Sequence, residues 1–199
     1  MSKVICYTKL HLPENYDENS WYFELFSKPL ESQDNVGYVG NGLLRELRRS
    51  KITPSSEALD FVIIAMSVVS ADKAILRRNS PDGWTRQINL EIPLQKAEEW
   101  EKVKDKLEKM LRFLSGDFWK LTFTQLPESI ALDNFTEDRD KDCVCLLSGG
   151  MDSLVGGIDL CEYGKNHYLL LKQCEETQLI KGSMQIHWAR TTSVNGAVI

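Results

Sequence analysis

The chain lacks any apolar run long enough to cross a bilayer. Its longest uncharged apolar stretch, Phe61–Ala71, is bounded by Asp60 and Asp72, well short of the ~20 residues a spanning helix needs. The opening residues, Met1 to Lys9, have neither the apolar core nor the small-residue cleavage site of a secretory leader, so the expected location is cytoplasmic. Cysteine is sparse and without pattern. Cys6, Cys143, Cys145, Cys161 and Cys174 form no C-x-x-C pair, and only His11, His167 and His187 stand beside them, a spacing that argues against a zinc site. Reduced, buried thiols are the expectation. Proline, at six residues, and glycine, at twelve, are too few for a collagenous or low-complexity chain. Positive charge is not in excess, with 24 basic against 29 acidic side chains, and no basic face or aromatic platform is visible, so direct nucleic-acid binding is not expected. No internal repeat is present.

What remains is a globular composition of 199 residues, 42% hydrophobic and 27% charged, enough for one sizeable core or two small ones. The net charge of −5 is unevenly spread. Residues 1–126 carry 18 basic and 18 acidic side chains, residues 127–142 carry 2 and 6, and residues 143–199 carry 4 and 5. The stretch Pro127 to Asp142 is acidic and without period, which reads as a linker between two units or as a long surface loop within one.

Before it, residues 3–10 and 20–27 are rich in β-branched and aromatic side chains and read as two paired strands with a turn over 13–17. Ser55 or Ser56 can cap a core helix carrying Leu59, Val62, Ile63, Met66, Val69 and Leu76 at helical spacing. After the turn Asn79-Ser80-Pro81-Asp82-Gly83, Ile88, Leu90, Ile92 and Leu94 alternate with polar residues, which predicts a half-buried, antiparallel strand. From Ala97 the apolar residues Trp100, Val103, Leu107, Met110, Leu111 and Leu114 predict a helix lying on a sheet, with Gly116 as its left-handed cap. Trp119, Leu121 and Phe123 then alternate as a further strand, and the sum is an α+β unit. Arg77, Arg78, Asp82, Trp84 and Arg86 crowd one turn. Three guanidinium groups and an indole suit a phosphate, a base or an acidic partner surface, or else form a solvated tip with Trp84 tucked beneath it. Lysines and glutamates interleave from Glu98 to Arg112 as the wet face of the helix.

The segment that carries chemistry begins with Cys143-Val144-Cys145-Leu146-Leu147, a run that reads as a strand buried on both faces of a parallel sheet. Ser148-Gly149-Gly150-Met151-Asp152-Ser153 follows, and residues 153–163 read as a helix with Leu154, Ile158 and Cys161 on one face and Gly164 as its stop. A strand, a glycine loop and a helix make an anion site. The first N–H groups of the helix have no partner, the dipole adds positive charge, and glycine lets phosphate oxygens come close. Ser148 and Ser153 offer hydroxyl donors, and Asp152 is placed to orient the loop or to help hold Mg²⁺. The loop is neither G-x-x-x-x-G-K-[ST] nor G-x-G-x-x-G. Without the lysine that grips β- and γ-phosphates, chemistry at the α-phosphate with departure of pyrophosphate is the natural alternative.

Ser148-Gly149-Gly150-Met151-Asp152-Ser153 resembles the S-G-G-x-D-S signature of the PP-loop (N-type) ATP pyrophosphatases, among them GMP synthetase, NAD synthetase and 7-cyano-7-deazaguanine synthase. The order of Ala71-Asp72-Lys73, Asp82-Gly83-Trp84-Thr85-Arg86 and Leu114-Ser115-Gly116-Asp117 ahead of the loop is similar to the QueC-like (7-cyano-7-deazaguanine synthase-like) proteins of the Qat anti-phage defence system. The resemblance implies ATP and Mg²⁺ as ligands, and a ligase-type reaction that adenylates a carboxylate and releases pyrophosphate. It also implies a loop, Ser148 to Ser153, that holds the triphosphate, and protein partners from a defence operon.

The fold expected is α/β. An N-terminal α+β domain over 1–126 and a linker over 127–142 precede the start of a Rossmann-like PP-loop domain over 143–199. His167-Tyr168-Leu169-Leu170-Leu171 is the expected second strand, and residues 172–199 show no assignable period, which suggests a truncated or frame-shifted product. The zinc-binding cysteine cluster of 7-cyano-7-deazaguanine synthases has no counterpart. A nucleotide- or partner-binding module without turnover, or a non-functional fragment, stands as the alternative to an enzyme.

Overall fold

The structure, a computed structural model, describes residues 2–8, 17–28, 35–126, 130, 143–147, 150–164 and 167–171. The chain divides into two compact units. The first holds β1 (Ser2–Tyr7), β2 (Ser20–Leu25), β3 (Val36–Val39), α1 (Leu43–Arg49), α2 (Ser56–Ala74), β4 (Gln87–Leu94), α3 (Ala97–Glu101), α4 (Lys104–Ser115) and β5 (Phe118–Gln125). The second holds β6 (Cys143–Leu147), α5 (Met151–Glu162) and β7 (His167–Leu171). The expected linker falls, apart from Ile130, outside the described residues, as do Ser148, Gly149 and residues 172–199. Among the described residues no helix is long and apolar enough to cross a membrane.

The five strands of the first unit run in the order β3-β2-β1-β4-β5, and every pairing is parallel. The class is therefore α/β, and the α+β arrangement and antiparallel strand expected for this unit do not hold. Alternation in β4 reports only that its two faces differ. Ile88, Leu90, Ile92 and Leu94 are buried, while Lys3, Asn89, Glu91, Lys120 and Thr122 line a shallow polar groove. Strand direction follows from the connections, and α3 and α4 carry the chain from the end of β4 back to the start of β5. The short β3 and α1 have no strong sequence signal. Gly37 in β3 is required by close approach, because a Cβ there would stand 2.4 Å from Cε1 of Phe23.

The core lies between the sheet and α2. Ser55 caps this helix by accepting a hydrogen bond from Ala58 N (3.2 Å), as its sequence predicts. Leu59, Ile63, Ile64, Met66 and Ala71 join Val4, Cys6, Phe23, Leu25 and the buried row of β4 in one cluster. Each fully buried aliphatic side chain there contributes about 1.5–3 kcal/mol. Val69 and Leu76 depart from expectation. Both are 43% exposed, and Leu76 lies past the end of the helix. Three polar side chains take places in the core instead. Ser67 and Ser70 donate to the carbonyls of Ile63 (2.7 Å) and Met66 (2.8 Å), and Asp60 accepts from the N–H groups of Gln95 and Lys96 (2.9 Å each) and from Trp100 Nε1 (3.2 Å). Asp60 thereby fastens α2 to the end of β4 and the start of α3.

The single helix expected from Ala97 is broken at Val103 (φ −112°, ψ 3°), and Gly116 (φ 74°) ends it as predicted. The break resets the helical phase. Leu111 is the one buried residue of α4, whereas Met110 and Leu114, expected on the sheet, are exposed. Glu108 does not belong to a wet face, because its carboxylate accepts the N–H of Leu121 (2.8 Å) on the edge strand β5.

In the second unit β6 and β7 pair in parallel, from Cys143 opposite His167 to Leu147 opposite Leu171, with α5 between them in sequence. Gly164 (φ 65°) follows the helix. The apolar face expected to pack does not: Leu154 and Ile158 are 52% and 55% exposed, Cys161 is exposed, and Val144 of the strand expected to be buried is 57% exposed. Among the described residues the sheet of this unit has two strands, too narrow to cover a helix whose one buried residue is Gly157. Burial of all the thiols therefore fails at Cys161. Cys6 fits it, and burial pushes its thiol up to about 12.

Candidate functional site

The glycine loop leads to the N-terminus of α5. Gly150 is the N-cap, in extended conformation (φ −88°, ψ 158°), and the helix begins at Met151, two residues earlier than its sequence predicts. Its carbonyl accepts from Leu154 N (3.2 Å) and from the hydroxyl of Ser153 (2.9 Å), so Ser153 ties the first helical turn to the loop. Met151 is 73% exposed and Asp152 is exposed in the same turn, beside the positive end of the helix dipole. Of the six residues expected to hold a triphosphate, Gly150, Met151, Asp152 and Ser153 thus lie together at a helix start preceded by β6, and Ser148 and Gly149 lie outside the described residues.

A second constellation joins three segments that precede the loop, those of Asp72, Arg86 and Asp117. Asp117 is fully buried and is gripped by two guanidinium groups. Arg86 donates to it through Nε (3.1 Å), Nη2 (2.5 Å) and its backbone N–H (2.9 Å), and Arg77 donates through Nη1 and Nη2 (3.0 Å each). Arg86 goes on to the Asp72 carboxylate (2.5 Å) and to the carbonyls of Asp72 and Ile75 (2.8 Å each). Arg77 also reaches the carbonyls of Trp84 (2.8 Å) and Ser115 (2.9 Å). Burial raises the Asp117 carboxyl, but the hydrogen bonds and charge of Arg86, with the charge of Arg77, outweigh it and hold the group below its ordinary value. For Arg86 burial acts downward, and Asp117 and Asp72 more than reverse it.

This cluster corrects the reading of the turn as a positive patch. Arg86 is 3% exposed and Arg77 is committed to Asp117, so two of the three guanidinium groups serve the fold. Trp84 is not tucked under the tip. It is 68% exposed, with the Arg77 guanidinium 5.3 Å from its ring centroid. The partners Asp72 and Asp117 stand in these segments, but ion pairs spanning 14 and 31 residues leave no local period to find. Among the described residues no group of three histidine, cysteine, aspartate or glutamate side chains is arranged to hold a metal ion. In comparisons with known proteins, no family model, no curated protein and no solved structure matches the chain.

Proposed function

We propose that the chain is a QueC-like PP-loop ATP pyrophosphatase that binds ATP at the loop from Ser148 to Ser153 and adenylates a carboxylate-type substrate with release of pyrophosphate, in anti-phage defence. The observation that carries this reading is the sequence Ser148-Gly149-Gly150-Met151-Asp152-Ser153 at a strand-to-helix junction. Backbone N–H groups at the start of α5 and its dipole would receive the phosphate oxygens, and glycine at 149 and 150 leaves room for them. The substrate carboxylate attacks the α-phosphorus, the bond to the bridging oxygen breaks, and pyrophosphate leaves with the electron pair. The protein contributes by positioning and by stabilising charge on the phosphates. Asp152, an exposed carboxylate in the first turn of α5, would be the residue to help hold Mg²⁺, since this ion commonly takes one or two carboxylates along with phosphate oxygens and water. When bound, it would neutralise phosphate charge.

The test is release of pyrophosphate from Mg-ATP by the purified chain supplied with a pool of carboxylates, with AMP following when water or an added amine attacks the acyl carbon and displaces it from the acyl adenylate. Asp152→Ala is expected to abolish both, and an unchanged rate overturns the site. A second reading, nucleotide binding without turnover, draws support from the apolar face of α5, which is exposed at Leu154, Val155 and Ile158. Saturable ATP binding by calorimetry with no AMP formed selects that reading.

A further inference from the structure

The outward face of α4 inverts the usual pattern of a surface helix. Leu111 is buried, and Leu107 and Glu108 are half-buried on the same side. Opposite them, Lys106, Lys109, Met110, Phe113 and Leu114 are all exposed. Their spacing of i, i+3, i+4, i+7 and i+8 sets them in one stripe. Met110, Phe113 and Leu114 are 45%, 88% and 71% exposed, an adjoining group of large apolar side chains of the kind that marks an interaction surface. None of the five is a carboxylate, and the exposed Asp105, one turn before Lys109, borders the stripe on the side away from Leu114, leaving the two lysines in excess over it. Glu108 is turned to Leu121 N, and Glu101 pairs with Lys104.

The surface is also fixed in place. The Ser115 hydroxyl donates to Leu111 O (2.8 Å) and accepts from Trp119 Nε1 (2.8 Å), while Arg77 holds the Ser115 carbonyl from the buried ion cluster. A preorganised apolar stripe loses little freedom on binding. Its charge selects the occupant. Two lysines flanking apolar side chains complement a segment whose own apolar residues are flanked by carboxylates. A second copy of the same face would set lysine against lysine. Nucleic acid fits less well, because the nearby Arg77 is saturated by Asp117 and Arg112 lies over the Phe118 ring, 4.4 Å from its centroid.

We propose that this face docks an acidic amphipathic segment of a partner protein, which lays its apolar side chains on Met110, Phe113 and Leu114 and its carboxylates on Lys106 and Lys109. The inference is independent of ATP binding. It is tested with the full chain by fluorescence anisotropy, using as probe a labelled helical peptide with leucine at i, i+3, i+4 and i+7 and glutamate at the flanking positions. Saturable binding is expected, weakened about tenfold or more by Phe113→Ser, in line with loss of a central aromatic anchor. Lys106→Glu combined with Lys109→Glu is expected to weaken it similarly, and replacing the peptide glutamates by glutamine to reduce both affinity and salt dependence. Urea unfolding of each variant checks that the fold is kept. Four results would overturn the proposal: no binding of the peptide, binding indifferent to these substitutions, tighter binding to phosphatidylserine vesicles or single-stranded DNA, or a dimer in sedimentation that Phe113→Ser dissolves.

Discussion

Ile63 and Ile158 sit in helices of similar apolar content, yet one is fully buried and the other is 55% exposed. The difference lies in what each helix meets. α2 lies across a five-stranded sheet, and among the described residues α5 accompanies two strands. Apolar spacing therefore identifies a helix, but burial depends on how much sheet is present to receive it. The first unit also closes polar groups inside its core, Asp60 beneath α2 and Asp117 between two arginines, whereas the described part of the second unit has no comparable buried polar anchor.

Breaking the buried ion cluster should separate the two units most sharply. Asp117→Ala leaves Arg86 buried without its main partner and is expected to cost about 3–5 kcal/mol in urea unfolding. The same carboxylate carries a pH dependence. Its folded pKa lies below the ordinary 3.8, so its contribution is fully present above that value and is lost as pH falls through the lower folded value; acid titration of stability should lose this component in Asp117→Ala. Next in size is the isoleucine pair itself: Ile63→Ala should cost about 2–4 kcal/mol by opening a cavity, and Ile158→Ala less than about 0.5 kcal/mol, as urea unfolding of each variant would read. Equal costs would mean that α5 is covered in solution. Asp60→Ala removes the acceptor of three donors and should cost about 1–3 kcal/mol by the same measurement. Gly116→Ala, at φ 74°, should cost about 1 kcal/mol and shorten protection of α4 in hydrogen exchange.

Much of the first unit was legible in sequence where signals are local. Ser55 and the spacing from Leu59 to Met66 reveal α2, Gly116 reveals the end of α4, and the alternation from Ile88 to Leu94 reveals β4. Its direction was not legible, because a parallel and an antiparallel strand with one polar face share the same alternation. The phase of α4 is not legible, since the turn at Val103 carries no glycine or proline to announce it. At the loop, the strand, the helix and its stop at Gly164 fall where the residues placed them, and the start of α5 moves only to Met151. The ion cluster was spelled out in Asp72, Arg86 and Asp117, but their meeting depends on how β4, β5 and α2 are arranged, which no single segment encodes.

Glu108 has a consequence outside the stability of one molecule. Among the described residues β5 is the border of the sheet, and a bare border is a template on which another extended chain can grow. With the N–H of Leu121 already occupied from α4, an incoming strand meets a break in the ladder midway along the border. One carboxylate thus takes a donor that an added strand would need, so the border is interrupted by a side chain of the same unit and not left as an unbroken ladder.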